Sequence, residues 1–298
     1  MKTLLTLLTA ACASLLMSCT YGMNEVFDHG TDVEGRVGAL VDITGPSVSG
    51  STYSFVVLSD VHRGKEEDML FSSKERYDDA FFEKVRATTP LPSFCICLGD
   101  IADHGWSKEL DEYNEFVARI NETLGAAAGE NKVLSVLGNH DVYNEGWESW
   151  KERIYPHTSF YRFNIGAFNY YVTDSASGSI GMEQYKKLKE AMKNDNKPKI
   201  VCSHYAVFGT QNFFSNYYTT QNTEESDLLL TLYAQTNTRL ILAGHMHEYH
   251  TTRFTSQMEE VLVPGYFDKA GYVIITVDDN TATIYDSGPI YFHSMPGQ

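Results

Sequence analysis

Five short apolar runs punctuate the chain: Phe55-Val56-Val57-Leu58, Cys95-Ile96-Cys97-Leu98, Val133-Leu134-Ser135-Val136-Leu137, Ile200-Val201-Cys202 and Leu240-Ile241-Leu242-Ala243. Runs this short, bounded by glycine and polar residues, predict buried strands. Stretches with helical spacing lie between them. Ser72-x-x-Glu75 has the form of a capping box and predicts a helix to about Ala87, with Tyr77, Phe81 and Val85 on one face. Leu110, Tyr113, Phe116, Val117 and Ile120 predict a second helix from about Ser107 to Leu124. A third is predicted from about Met182 to Asn194 and a fourth from about Glu224 to Gln235. Phe160 to Thr173 reads as a hairpin turning at Gly166, and Tyr272–Val277 with Thr281–Tyr285 as another around Asp278-Asp279-Asn280. Strands alternating with helices, with hairpins added, predict a layered α/β sandwich and not a simple doubly wound sheet.

The residues just past each run matter more than the run itself. In order, the endings are Asp60-x-His62, Gly99-Asp100, Gly138-Asn139-His140-Asp141, Ser203-His204 and Gly244-His245-Met246-His247. Ligands of open α/β sheets gather just past the carboxyl ends of the strands. One Asp-x-His or one Gly-Asp after a strand is ordinarily a turn. Five endings carrying His, Asp and Asn together point to metal. Asp60 and His62 can turn onto one ion, Asp100 can bridge two, Asn139 offers an amide oxygen, and His204, His245 and His247 supply imidazoles.

The amino terminus belongs to targeting and not to the fold. Lys2 precedes an apolar stretch, Leu4 to Met17, that is too short for a spanning helix and reads as a signal-peptide core within residues 1–18. It ends in Leu16-Met17-Ser18-Cys19, which resembles a bacterial lipobox. That predicts lipid modification of Cys19 and anchoring in the bacterial cell envelope, facing the periplasm or in the outer membrane; an ordinary secretory cleavage is the other reading. Each buried acyl CH₂ contributes about 0.8 kcal/mol, so a multiply acylated Cys19 would hold. Residues 19–50 are expected to be a tether with one possible edge strand, and 51–298 a single domain.

Charge and cysteine narrow the partners. The formal charge is −16, with Lys2 the only charged side chain in the leader. This field opposes nonspecific binding to nucleic acid, so no specific nucleic-acid partner is expected. Two bound divalent cations would reverse the sign locally and admit an anionic substrate. Cys95, Cys97 and Cys202 sit inside apolar runs and read as core thiols; Cys95 and Cys97 share one strand face, a poor geometry for a bridge.

In order and spacing, the five endings resemble the calcineurin-like metallophosphoesterase family, over about residues 53–250. The resemblance implies a layered αββα sandwich with the metal site at the carboxyl ends of the strands. It implies one metal held by Asp60, His62, Asp100 and His247, and another by Asp100, Asn139, His204 and His245. The ions are expected to be two divalent cations, Mn, Fe, Zn or Co. The implied reaction is hydrolysis of a small phosphomonoester or phosphodiester by a metal-bound hydroxide. His140 is implied at the leaving group, as proton donor or charge stabiliser, and Asp141 is expected to accept a hydrogen bond from His140. Asp103 stands where purple acid phosphatases carry tyrosine, and those enzymes lack a counterpart of His62, which sets that branch aside. Asp103 is read beside the ligands, orienting a ligand histidine or shaping the loop. Arg63 and Tyr205 adjoin ligands and are candidate phosphate contacts.

Two aromatic groups lie just past the ligand motifs: Tyr143, Trp147 and Trp150, and then Phe208, Phe213, Phe214, Tyr217 and Tyr218. They either line a substrate pocket or cap the sandwich. A non-catalytic envelope protein that binds metal or another ligand and keeps this fold is the alternative function class.

Overall fold

A computed structural model describes residues 31–65, 74–209 and 222–293. The lipobox with Cys19, Ser72 of the capping box, and Phe213, Phe214, Tyr217 and Tyr218 lie outside the described residues.

Two sheets lie face to face. One has the strand order β12-β11-β2-β3-β4. Its members are β2 (Thr52–Leu58), β3 (Phe94–Cys97), β4 (Val133–Ser135), β11 (Gly271–Asp278) and β12 (Thr283–Tyr291). The other has the order β1-β5-β6-β7-β8-β10-β9. It comprises β1 (Val41–Asp42), β5 (Tyr161–Ile165), β6 (Phe168–Val172), β7 (Lys199–Cys202), β8 (Thr238–Ala243), β9 (His250–Arg253) and β10 (Glu259–Leu262). β2, β3 and β4 run parallel, as do β6, β7, β8 and β10.

The two-residue period of the strands builds the layers. In β2, Tyr53, Phe55 and Val57 enter the core between the sheets, while Val56 and Leu58 face the helices. The inter-sheet core is aromatic: Phe55 stacks on Phe94 and Phe163 on Tyr170, each pair at 4.7 Å. Burying one such side chain contributes roughly 1.5–3 kcal/mol. Cys95 and Cys97 lie in the helix-facing core, and the described cysteines are free and buried, as their runs predict.

Helices cover both outer faces. α2 (Lys74–Ala87), α3 (Ser107–Thr123), α4 (Gly146–Arg153) and the short α7 (Tyr266–Lys269) lie on the first sheet. α1 (Thr31–Arg36), α5 (Met182–Lys193) and α6 (Thr223–Gln235) lie on the second. This is the αββα sandwich expected from the sequence. The stretch expected as a tether is partly built in from residue 31. Val33 and Val37 are buried in the second outer core, and Arg36 pairs with Asp174 through two 3.0 Å contacts. α1, α4, α7, β9 and β10 are elements the hydrophobic pattern did not announce.

Candidate metal centre

The parallel strands of both sheets aim their carboxyl ends at one place, and the backbone there is strained. Asp60, His62, Asp100, His245 and His247 have φ of +56°, +48°, +50°, +64° and +56°. A left-handed backbone at a non-glycine residue costs on the order of 1–3 kcal/mol and persists only where its surroundings enforce it. Five such residues among the candidate ligands mean that tight turns throw these side chains forward off the strand ends. Two glycines make room. Gly99 has φ +96°, and a side chain at Gly138 would collide with the backbone nitrogen and carboxylate of Asp100.

Asp60, His62 and His247 converge so that one donor atom from each lies within 4.8 Å of the others. Asp60 Oδ2 accepts from Ser59 Oγ at 2.5 Å and from the His245 amide at 3.1 Å. Its other oxygen, Oδ1, has no hydrogen bond and lies 3.1 Å from His247 Nε2. Asp100, His204 and His245 form a second such group. There, His204 Nε2 lies 3.0 Å from Asn139 Oδ1, 3.1 Å from His245 Nδ1 and 3.3 Å from Asp100 Oδ2.

Asp100 joins the two groups through one atom. Its Oδ1 accepts from the His140 amide at 2.8 Å, which leaves Oδ2 between His204 Nε2 and, at 3.9 Å, His62 Nε2.

The rear nitrogens of the rings are also engaged. His204 Nδ1 donates to the Leu98 carbonyl at 2.8 Å, so Nε2 is the ring nitrogen that faces the cluster. His247 Nδ1 lies 2.9 Å from Asp268, and His62 Nδ1 lies 3.1 Å from the Asp103 carboxylate. Partners of this kind set ring orientation and tautomer in metal sites. Tyr205 stacks on His245 at 3.9 Å.

The electrostatics come from burying two carboxylates with four imidazoles. Burial would raise Asp60, but His247, with help from His204 and His62, holds it well below the usual carboxylate range. Burial would lower His204 and His247, but Asp100 pushes the first up to about 9 and Asp60 with Asp268 the second up to about 11. Burial and the neighbouring His204 take His245 down to about 3, and burial lowers His62. The two carboxylates thus favour the protonated forms of His204 and His247, and divalent cations would take over that role by displacing the protons.

These residues fit a metal pair. Asp60 Oδ1 and the cluster-facing Nε2 of His62 are buried without a hydrogen-bond partner. Leaving such atoms unsatisfied costs about 1–3 kcal/mol each, which coordination would relieve. His204 Nε2 lies 3.0, 3.1 and 3.3 Å from Asn139 Oδ1, His245 Nδ1 and Asp100 Oδ2, close enough for these donors to share one ion. Neutral imidazole nitrogen, carboxylate and amide oxygen suit Mn, Fe, Zn or Co.

Two expectations are corrected. Asp141 does not accept the expected hydrogen bond from the His140 ring. Its two oxygens accept from the amides of Ala102 at 2.9 Å and Gly138 at 2.8 Å, and the side chain is fully buried. Burial and the Asp100 charge push this carboxyl up to about 8, against the pull of those amides. The partner of His140 Nδ1 is the Asp103 carbonyl, at 2.7 Å. Arg63 is turned away from the centre. Its guanidinium pairs with Asp78 at 3.0 and 3.1 Å and lies 4.1 Å over Phe116.

The aromatic groups divide. Trp150 is fully buried and Trp147 stacks on it, whereas Tyr143 is 45% exposed and packs on His140 at 4.7 Å. Phe208 packs edge-on to Phe254. Sequence reasoning missed Asp268, Ser59 and the Leu98 carbonyl. Asp268 offered no signal, since it sits on a four-residue helix that only the tertiary structure brings to His247.

The calcineurin-like phosphoesterase family profile matches residues 53–249. A dimetal phosphatase from Danio rerio superposes with a TM-score of 0.59 at 14% identity, over 80% of this chain and 96% of its own. GAP50, the anchor in the inner membrane complex of Plasmodium, superposes with 0.52 at 13% identity, over 82% and 90%. At these identities the likeness is one of fold. No curated protein matches the sequence.

Proposed function

Because the chain belongs to the calcineurin-like phosphoesterase family over residues 53–249, we propose that it hydrolyses a small phosphate ester at a pair of divalent metal ions. The observation that carries the reading is Asp100 Oδ2, a single carboxylate oxygen between two convergent groups of donors. Asp60, His62, Asp100 and His247 would hold one ion, and Asp100, Asn139, His204 and His245 the other. Bound there, the cations would lower the pKa of water toward neutrality and neutralise phosphate charge.

The chain's own groups do the rest. His140 Nδ1 donates a hydrogen bond to the Asp103 carbonyl, so its Nε2 edge is the one available to a leaving group. Its ring lies 4.7 Å from that of His62 and is 30% exposed, placing it between the ligands and solvent. General acid help from such a group contributes about 10²–10⁴-fold in rate. Asp103 sets both rings, and Asp141 ties the Asp100 and Asn139 loops together through the Ala102 and Gly138 amides.

We infer also that Cys19 anchors the chain to the bacterial envelope, on the strength of Leu16-Met17-Ser18-Cys19. Intact mass of membrane-extracted protein should show an acylated Cys19, and an unmodified amino terminus would refute this. For the activity, metal analysis should be combined with hydrolysis of nitrophenyl phosphate and its bis ester with Mn²⁺ supplied. Two bound metal equivalents and turnover of one ester are expected. A protein inert toward both and free of metal would be the non-catalytic binding protein instead.

A further inference from the structure

We propose that the loop between Asp100 and α3 is a stacking platform for the leaving group, selecting esters whose alcohol carries a planar ring on a short spacer, as a nucleoside does. The proposal rests on the phosphoesterase reading above. Trp106 is 55% exposed, in a protein whose other tryptophan rings, Trp147 and Trp150, stack on each other. Exposing an indole leaves a large apolar surface in water. Trp106 is nonetheless held in place. The His104 ring stacks on it at 4.6 Å and 14°.

The loop beneath is fixed at several points. Glu109 accepts from the amides of His104 at 2.8 Å and Trp106 at 3.2 Å, and its other oxygen lies 3.2 Å from His104 Nδ1. Asn144 donates to the His104 carbonyl at 2.9 Å. Gly105 packs so closely on the Asp141 and Tyr143 carbonyls that a side chain there would collide with both. The platform is therefore rigid, and stacking on it costs little ordering.

Position says what lies on it. Asp103 of this same loop holds His140, and the Tyr143 ring packs on His140. Whatever His140 assists, the organic remainder of the leaving group extends over Tyr143 and toward Trp106. Trp106 is three positions past Asp103, a reach of at most about 10 Å along the backbone. A ring on Trp106 would then be joined to the ester oxygen through a short spacer, such as a sugar. Stacking on an indole tolerates any base, since every base has a π face.

The test uses pairs that differ only in the ring. Full-length, Mn²⁺-loaded protein is assayed on uridine 5′-phosphate against ribose 5-phosphate and, for a diesterase, on their methyl esters. The ring-bearing member should be preferred. Trp106→Ala should raise its KM roughly tenfold, leave the ring-free member unchanged, and be largely rescued by Trp106→Phe. Equal effects on both members, or no preference in the parent protein, would overturn the platform. So would turnover of nitrophenyl esters with neither pair hydrolysed. Loss of all turnover by the metal-loaded parent would remove the phosphoesterase reading itself, and the platform with it. Should Trp106→Ala unfold, Trp106→Phe against Trp106→Leu reads the same ring dependence.

Discussion

The Asp103 carbonyl accepts a hydrogen bond from His140 Nδ1 at 2.7 Å, while the carboxylate of the same residue lies 3.1 Å from His62 Nδ1. One residue therefore orients a candidate ligand through its side chain and the candidate leaving-group histidine through its main chain. These two functions separate by mutation. His140→Gln should retain two metal equivalents but slow hydrolysis about 10²–10⁴-fold for esters with poor leaving groups, and far less for nitrophenyl esters. The slope of log kcat/KM against leaving-group pKa is the readout. An equal loss across the series would end the proton-donor role.

Asp103→Asn should act on the metal instead. It keeps the carbonyl that holds His140 and removes the charge behind His62. Loss of such a supporting carboxylate commonly costs about 10–100-fold in metal affinity. Titration of metal-stripped protein should show one of two sites weakened. The dependence on leaving group, measured at saturating metal, should stay as in the parent.

Asp141→Asn should behave as a stability mutant. Both carboxylate oxygens face backbone N–H donors, so an amide presents its own N–H to one of them. A buried donor left unsatisfied costs about 1–3 kcal/mol, a loss of several degrees in Tm for a domain of this size. At saturating metal, the leaving-group slope should not move. A selective loss on poor leaving groups would restore the support of His140 expected from sequence.

How much of this was legible in the chain depends on what each feature is made of. The five apolar runs and the residues after them are local, so strand period and residue type announced β2, β3, β4, β7 and β8 and the groups past their ends. A layered α/β sandwich followed from their alternation with helices, and its αββα order from the family resemblance. The left-handed backbone at Asp60, His62, Asp100, His245 and His247 did not show, because none is glycine. β9 carries exposed polar residues with no alternation, and α7 is a single turn, so neither has a period to read. Asp268 reaches His247 only through that turn. Arg63 and Asp141 were misjudged for one reason. Adjacency in sequence suggested a shared site, but Asp78 holds the Arg63 guanidinium and the Ala102 and Gly138 amides hold the Asp141 carboxylate away from it.

Arg63→Ala should unfold the protein more than it affects binding. The guanidinium and Asp78 are buried together, and Tyr266 Oη also donates to Asp78 at 2.6 Å. Removing one partner of a buried ion pair typically costs about 3–5 kcal/mol. Urea denaturation should show a loss of that size, with KM for any hydrolysed ester nearly unchanged in the folded fraction. A large KM effect with full stability would return Arg63 to the phosphate.

Glu225 supplies a pH dependence far from the metals. It sits in the first turn of α6, is fully buried, and accepts from the Ile180 amide at 2.7 Å. Burial raises its carboxyl from 4.5 to about 7, against the Ile180 and Ser179 hydrogen bonds. The folded state therefore binds this proton more tightly than the unfolded chain does. Its contribution to stability is present in full below pH 4.5, declines as pH rises toward 7, and is gone above that. A shift of this size corresponds to about 3 kcal/mol across the window. Glu225→Gln keeps an acceptor for Ile180 and has no proton to lose. The stability difference between variant and parent should grow in favour of glutamine from pH 4.5 to 7.5 and then level off. A difference that stays constant over that range would show that Glu225 is ionised throughout, with the Ile180 and Ser179 hydrogen bonds outweighing its burial.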